Sequence, residues 1–240
     1  MLDRSSAHPT DPVTLPGISR TLDCEGKSKL FEHGAQRQWA RHQMLFAAGK
    51  PIKSLHRVAS GVLARSIALP KGRRQIVDFL FTGDICNLVQ SDGTHMFDCE
   101  AITDATTCAV DASVLRKFTG ASVAIGKALE EEVLRALNRT AEQLVTVGKF
   151  SAAERLLRFL HLLEEAYAER GLPTRPLALP MTRSDIGDYL GMQLETVCRA
   201  FAKLKARDLV GSVSAEHVVL HRRKAASLAH GKTPAVSALV

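Results

Sequence analysis

Thr182-Arg-Ser-Asp-Ile-Gly-Asp-Tyr-Leu-Gly-Met-Gln-Leu-Glu-Thr-Val-Cys-Arg-Ala-Phe-Ala-Lys-Leu204 is the stretch that decides the fold. Thr182 and Asp185 can cap a first helix, whose apolar face is Ile186, Tyr189 and Leu190. Gly191 stands where a tight helix-to-helix turn needs a residue without a Cβ. A second helix, Leu194 to Lys205, puts Val197, Phe201 and Leu204 on one face by their i, i+4, i+7 spacing, and Glu195, Cys198 and Arg199 on another. Two helices of this length joined this way read as a helix-turn-helix, whose second helix enters the DNA major groove by its N-terminal residues.

The side chains on the free face suit that reading. A groove-facing Glu195 can accept a hydrogen bond from cytosine N4, and Arg199 can donate two to guanine O6 and N7, so the pair can read neighbouring base pairs, with Cys198 between them. Arg183 at the start of the first helix, Thr196, and Lys203 and Lys205 at the end of the second are placed for phosphates. Beyond them, Leu209-Val-Gly-Ser-Val-Ser-Ala-Glu-His-Val-Val-Leu220 is two β-rich runs about a Ser-Ala-Glu turn, a hairpin wing.

Charge agrees. The 240 residues carry a net +7, and from Gly171 to the end there are ten basic against five acidic residues, so +5 of the +7 lies in the C-terminal third. A basic block of this kind suits a polyanionic partner. With 45% hydrophobic and 24% charged residues the chain is of ordinary globular composition. No window approaches the roughly 18 apolar residues of a membrane span. Asp3, Arg4, Asp11, Arg20, Asp23 and Glu25 stand where a secretory apolar core would lie, so a cytoplasmic protein without a membrane partner is expected. The five cysteines are odd in number and form no CxxC pair, which argues for free thiols.

Upstream, the texture changes twice. Residues 1–28, rich in Pro, Ser, Thr and Gly, read as a flexible arm. Residues 29–118 hold short apolar runs (Met44 to Ala48, Val62 to Leu69, Gln75 to Phe81, Ile85 to Val89, Cys108 to Val110) punctuated by Gly49, Gly61, Gly72 and Gly83, the rhythm of an antiparallel sandwich or barrel. Residues 119–147 then turn helical, with Ile125, Leu129, Val133, Leu137, Thr140 and Leu144 at steps of three and four. A helix of that length is about 40 Å long, more than a small domain buries, so the stripe is expected to pair with the same helix of a second copy. Ser151 and Glu154 form a capping box that opens a further helix, ended by Gly171 and Pro173. Residues 148–222 are thus a winged helix-turn-helix unit, and residues 223–240 a basic, disordered tail.

Leu179-Pro-Met-Thr-Arg-Ser-Asp-Ile-Gly-Asp-Tyr-Leu-Gly191 with Glu195-Thr-Val-Cys-Arg199 resembles the DNA-binding signature of Crp/Fnr transcription regulators, in particular the FixK-type branch. Gly72-Arg-Arg-Gln-Ile-Val-Asp-Phe79 with Gly83-Asp84, and His95-Met-Phe-Asp-Cys-Glu-Ala-Ile102, resemble the β-roll sensor domain of that branch. The resemblance implies an α+β fold: an N-terminal β-roll (jelly-roll) domain, a long dimerisation helix and a C-terminal winged helix-turn-helix. It implies a homodimeric activator that binds TTGA-type inverted repeats in double-stranded DNA and recruits RNA polymerase to genes of low-oxygen or nitrogen metabolism.

Departures from the family pattern sharpen the expectation. Cyclic-nucleotide-binding members hold the cyclic phosphate with an arginine, yet none occurs between Arg74 and Arg116, and a buried phosphate without a cation is costly. Iron–sulfur members use several closely spaced N-terminal cysteines, whereas this arm has Cys24 alone. No cofactor is therefore expected. Cys198 replaces the serine common at its position; its place beside Arg199 makes it a candidate redox switch, since oxidation would set a polar group among the DNA phosphates. The alternative within the same fold is a regulator gated by haem or another small ligand in the roll. No GxSxG, HExxH, GxxxxGK[ST] or GxGxxG motif points to an enzyme.

Overall fold

The computed structural model describes residues 30–32, 34–87, 93–113, 123–212, 214 and 216–221. The flexible arm with Cys24, the first residues of the expected dimerisation helix (119–122) and the basic tail lie outside the described residues.

Seven strands make the N-terminal layers: β1 (Ala35–Trp39), β2 (Met44–Phe46), β3 (Ser54–Ser60), β4 (Leu63–Leu69), β5 (Arg73–Leu80), β6 (Asp98–Ala101) and β7 (Ala105–Asp111). They pair antiparallel in two sheets, β2-β6-β4-β5 and β1-β7-β3. Strand side chains alternate between faces, and that alternation sorts them into two cores. Val58, Leu63, Leu80, Cys86, Cys99, Ala101 and Ala105 fill the space between the sheets. Ala64, Ile76 and Phe79 face outward, toward the helices. The β4–β5 register shifts between Arg65 and Ser66, leaving Val77 as a bulge, which is how Ile76 and Phe79, three residues apart, reach the same face. Gly49, Gly61, Gly72 and Gly83, read from the sequence as turn punctuation, all have positive φ.

Two expectations for the strands need correction. The expected run Ile85 to Val89 forms no strand over its described residues, 85–87: Ile85 makes one isolated bridge with Arg57, and residues 88 and 89 lie outside the described residues. Its apolar character comes from burial of Ile85 and Cys86 in a loop that Asn87 pins, accepting from His56 N (3.0 Å) and donating to Ser54 O (2.9 Å). Strands β1, β3 and β6 lacked an apolar run and were missed.

Among the described residues four helices of eight residues or more follow: α1 (Val123–Lys149), α2 (Ala152–Glu169), α3 (Arg183–Leu190) and α4 (Leu194–Ala206). Ser151 caps α2 through its N–H and hydroxyl, both donating to Glu154 Oε2 (2.8 and 2.6 Å). Leu156, Leu160 and Leu163 of α2 lie in one continuous core with Ile76 and Phe79 of the roll and Leu190 and Val197 of the C-terminal helices. Each such side chain contributes about 1.5–3 kcal/mol when fully buried. Arg170, just beyond α2, ties the same two regions together: it donates to Asp84 Oδ2 (3.1 Å) and Thr82 O (3.0 Å) over the ring of Phe81. A last sheet, ordered β8 (Leu177–Ala178), β10 (His217–Leu220), β9 (Val210–Ser212), contains the expected hairpin and gains a third strand from the short apolar segment before the helix-turn-helix.

The long helix divides its stripe unevenly. Ile125 is 2% exposed and packs with Leu30, Phe31, Leu55 and Ile85 of its own chain, with Leu129 against that cluster. Ile125 is therefore core and not a free contact for a partner, and Leu129 is half-buried in the same way. Beyond one more turn, Val133, Leu137 (63%), Thr140 and Leu144 (74%) are exposed on this chain. Among the described residues no helix is long and apolar enough to cross a membrane.

Candidate nucleic-acid interface

The two helices of the DNA-binding motif are fixed by reciprocal caps and a close turn. Thr182 N–H and Oγ1–H both donate to Asp185 Oδ2 (2.7 Å each), and Asp185 N–H donates back to Thr182 Oγ1 (3.1 Å). Gly191 ends α3 with φ of 65°, a left-handed conformation that suits glycine. The chain then folds so tightly that a Cβ on Gly187 would meet Met192 O at 2.6 Å. Both glycines are thus required by the turn that aims α4.

Helix α4 is anchored by Val197, Ala200 and Leu204, all buried. Phe201, expected to share that burial, is only partly buried; the Arg183 guanidinium lies 3.5 Å above its ring centre. Burial lowers the Arg183 pKa, and of the four residues expected at phosphates it is the one packed against its own protein. Lys203 and Lys205 are exposed.

The opposite face carries the expected reading residues. Glu195, Cys198 and Arg199 are all exposed, and Thr196 beside them is half-buried. Arg199 donates to Thr196 Oγ1 (3.3 Å) instead of to Glu195, so the Glu195 carboxylate is not used up by an i,i+4 ion pair with it. Sequence reasoning passed over Leu194, which is 46% exposed and one turn before Cys198. It adds an exposed apolar side chain at this end of the helix; an apolar residue at the first helical position was the available signal.

Among the described cysteines, Cys198 alone is exposed; Cys86, Cys99 and Cys108 are buried. Burial pushes the Cys99 thiol up to about 12 and raises Cys86 as well, which keeps both as inert thiols. Among the described residues no group of three His, Cys, Asp or Glu side chains is placed to hold a metal ion.

Arg65, buried in the roll, donates to Asp78 Oδ2 at 2.7 Å and lies over the Phe97 ring, while its Nε has no hydrogen-bond partner among the described residues. Polar groups also lie beside that interior. Trp39 Nε1–H donates to Thr107 Oγ1 (2.9 Å), which is 3.1 Å from His56 Nδ1. Burial, with help from Arg37 and His95, lowers the His56 pKa to about 4.

Comparison with known proteins gives the same layout. Residues 154–225 match the Crp-like helix-turn-helix domain, and residues 36–121 match the cyclic nucleotide-binding domain. The chain is 30% identical over 202 residues, 84% of each chain, to the nitrogen fixation regulation protein FixK of Bradyrhizobium diazoefficiens. It is 27% identical to the fumarate and nitrate reduction regulatory protein of Yersinia pestis, over 80% of this chain and 77% of that one. Its structure superposes on FixK2 from Bradyrhizobium japonicum with a TM-score of 0.77 and 29% identity, covering 84% of this chain and 99% of that one.

Proposed function

The chain belongs to the Crp/Fnr family of DNA-binding transcription regulators, and from that premise we propose that it acts as a homodimer that reads an inverted repeat without a bound cofactor. The observation that carries this reading is the exposed strip of Glu195, Cys198 and Arg199 on a helix whose other face is locked in the core. Glu195 and Arg199 take base edges, Thr196, Lys203 and Lys205 take phosphates, and Arg183 stiffens α4 through Phe201 as it approaches the backbone.

The partner for the long helix is its own copy. Val133, Leu137, Thr140 and Leu144 form a seam of four exposed positions along a 27-residue helix, which self-pairing would cover. Two-fold pairing sets two recognition helices about one DNA turn, ~34 Å, apart, which calls for a palindromic site. Half-sites of TTGA type, recruitment of RNA polymerase and control of low-oxygen or nitrogen-metabolism genes complete the proposal; the names of a nitrogen fixation regulation protein and a fumarate and nitrate reduction regulatory protein among the chain's relatives support the last of these. Cys198 makes the binding redox-sensitive, because an oxidised sulfur on the reading face would repel phosphates.

Arg65's commitment to Asp78 supports independence from cyclic nucleotide. A second reading, a small ligand gating the roll, has one observation in its favour: Nδ1 of buried His95, whose ring stacks on Phe46 at 3.9 Å, has no hydrogen-bond partner among the described residues. Gel shift of the reduced, dialysed protein on a palindromic TTGA-type duplex and a scrambled control separates the two. Specific binding with nothing added is expected; specific binding that appears only with an added effector would move the ligand-gated reading to first place.

A further inference from the structure

Helix α3 is tied to the roll as firmly as to its own domain, and one side chain carries most of the tie. Arg74, on β5, donates to Asp185 Oδ1 (2.5 Å) and Asp188 Oδ2 (2.9 Å) of α3, while Glu100 of β6 holds the same guanidinium from the roll side. The next residue, Gln75, donates through Nε2 to the carbonyls of Asp188 (2.5 Å) and Tyr189 (3.1 Å), the last-turn acceptors of α3. Gln143 of the long helix donates to Tyr189 O as well (2.6 Å), and the Tyr189 ring packs on Phe79 and Phe159 at 5.3 and 5.5 Å. Burial works against the charge on Arg74, but its bonds to Asp188 and Glu100 and the nearby Asp185 outweigh it and raise its pKa.

Two features make this more than general interface glue. Asp185 is the residue that caps α3 through Thr182, so Arg74 grips the helix at the group that defines its start. And α3 sets α4, through the Gly187–Met192 contact and the Gly191 turn, so the roll reaches the reading face in two rigid steps. None of these partners faces DNA, since Glu195, Cys198 and Arg199 lie on the exposed side of α4.

We propose that Arg74 is a positioning residue for DNA recognition: its fork across Asp185 and Asp188 latches the helix-turn-helix to the roll in the DNA-competent orientation. The latch rests on the DNA-binding reading above and supplies the reason that reading needs no effector, because an orientation held by three carboxylates is already populated. Apparent affinity falls in proportion to the competent fraction, so if freeing α3 leaves about a tenth of molecules competent, Kd rises about tenfold.

The test uses the full-length chain and its Arg74→Ala, Arg74→Lys, Asp188→Ala and Arg74→Ala/Asp188→Ala variants, checked for unchanged oligomeric state. Binding to the palindromic TTGA-type duplex is read at fixed salt, and amide exchange over residues 183–190 is read without DNA. Arg74→Ala is expected to raise Kd about tenfold and speed exchange in α3 but not in β4, Arg74→Lys to recover part of both, and the double variant to lose no more than Arg74→Ala alone. Unchanged or tighter DNA binding by Arg74→Ala, or a double variant whose losses add, overturns the proposal. If the wild type itself ignores the duplex, the DNA-site reading has failed and the exchange arm decides alone: lost protection of α3 supports the latch, unchanged protection refutes it.

Discussion

Arg199 and Lys203 lie one turn apart on the same helix, and the proposed interface gives them different work, which makes them the sharpest residue-scale test. Arg199, steadied by Thr196, is placed for a guanine edge, so Arg199→Ala should cost about 1–3 kcal/mol and relax preference at that base. Lys203→Ala should weaken cognate and scrambled duplexes alike and lower the salt slope by about one. Titration of both variants against single-base-changed duplexes checks the split; equal loss of specificity from both would reverse the roles. Cys198 is the described thiol open to solvent, so mild peroxide should lower DNA binding of the wild type and leave Cys198→Ser unaffected. Equal inhibition of both proteins would remove the switch. At this scale the capping box, the turn glycine and the exposure of Glu195, Cys198 and Arg199 were legible because each is a local spacing. Arg74 was not, since its carboxylate partners stand 26, 111 and 114 residues away, a separation no periodicity reports.

Among the elements, the long helix is where sequence periodicity was both most informative and least discriminating. Its stripe ran unbroken from Ile125 to Leu144, yet the first two positions bury against Leu55 and Ile85 while the later ones are left exposed. A 3.6-residue period reports an apolar face and not what covers it. Leu137→Glu, on the exposed part, should therefore leave the fold intact and shift the protein toward monomer by light scattering; a variant still fully dimeric would place the interface elsewhere. On the same helix, burial chiefly, with the charge of Glu165, pushes the Glu142 carboxyl up to about 7 against Arg158 and Arg139. The folded chain then holds a proton that the unfolded one releases, so this group makes stability fall as pH rises from about 4.5 through about 7, with no further change above. Glu142→Gln should flatten that part of a melting-temperature profile; an unchanged slope would discount the group. Strands β1, β3 and β6 escaped the sequence reading for a physical reason. Their ladder partners supply the pairing, while β1, AQRQW, exposes nearly every side chain and so shows no alternation.

Over the whole molecule, what the sequence did not show is that the roll and the reading domain share one core. The roll glycines, the dimer stripe and the helix-turn-helix were each readable where they stand, but Ile76, Phe79, Leu160 and Leu190 meet only through tertiary packing, and Arg170 and Arg74 close the ends of that contact. In the proposed dimer this shared core would present the recognition helices already aimed. The most direct test of that claim is an anisotropy titration of ligand-free, reduced protein against a TTGA-type palindrome and the same duplex with about five base pairs, half a turn, inserted between the half-sites. Tight binding to the first and collapse toward scrambled-duplex affinity on the second is the predicted result. Equal affinity for the two, or specific binding to neither, would contradict a preset two-fold dimer.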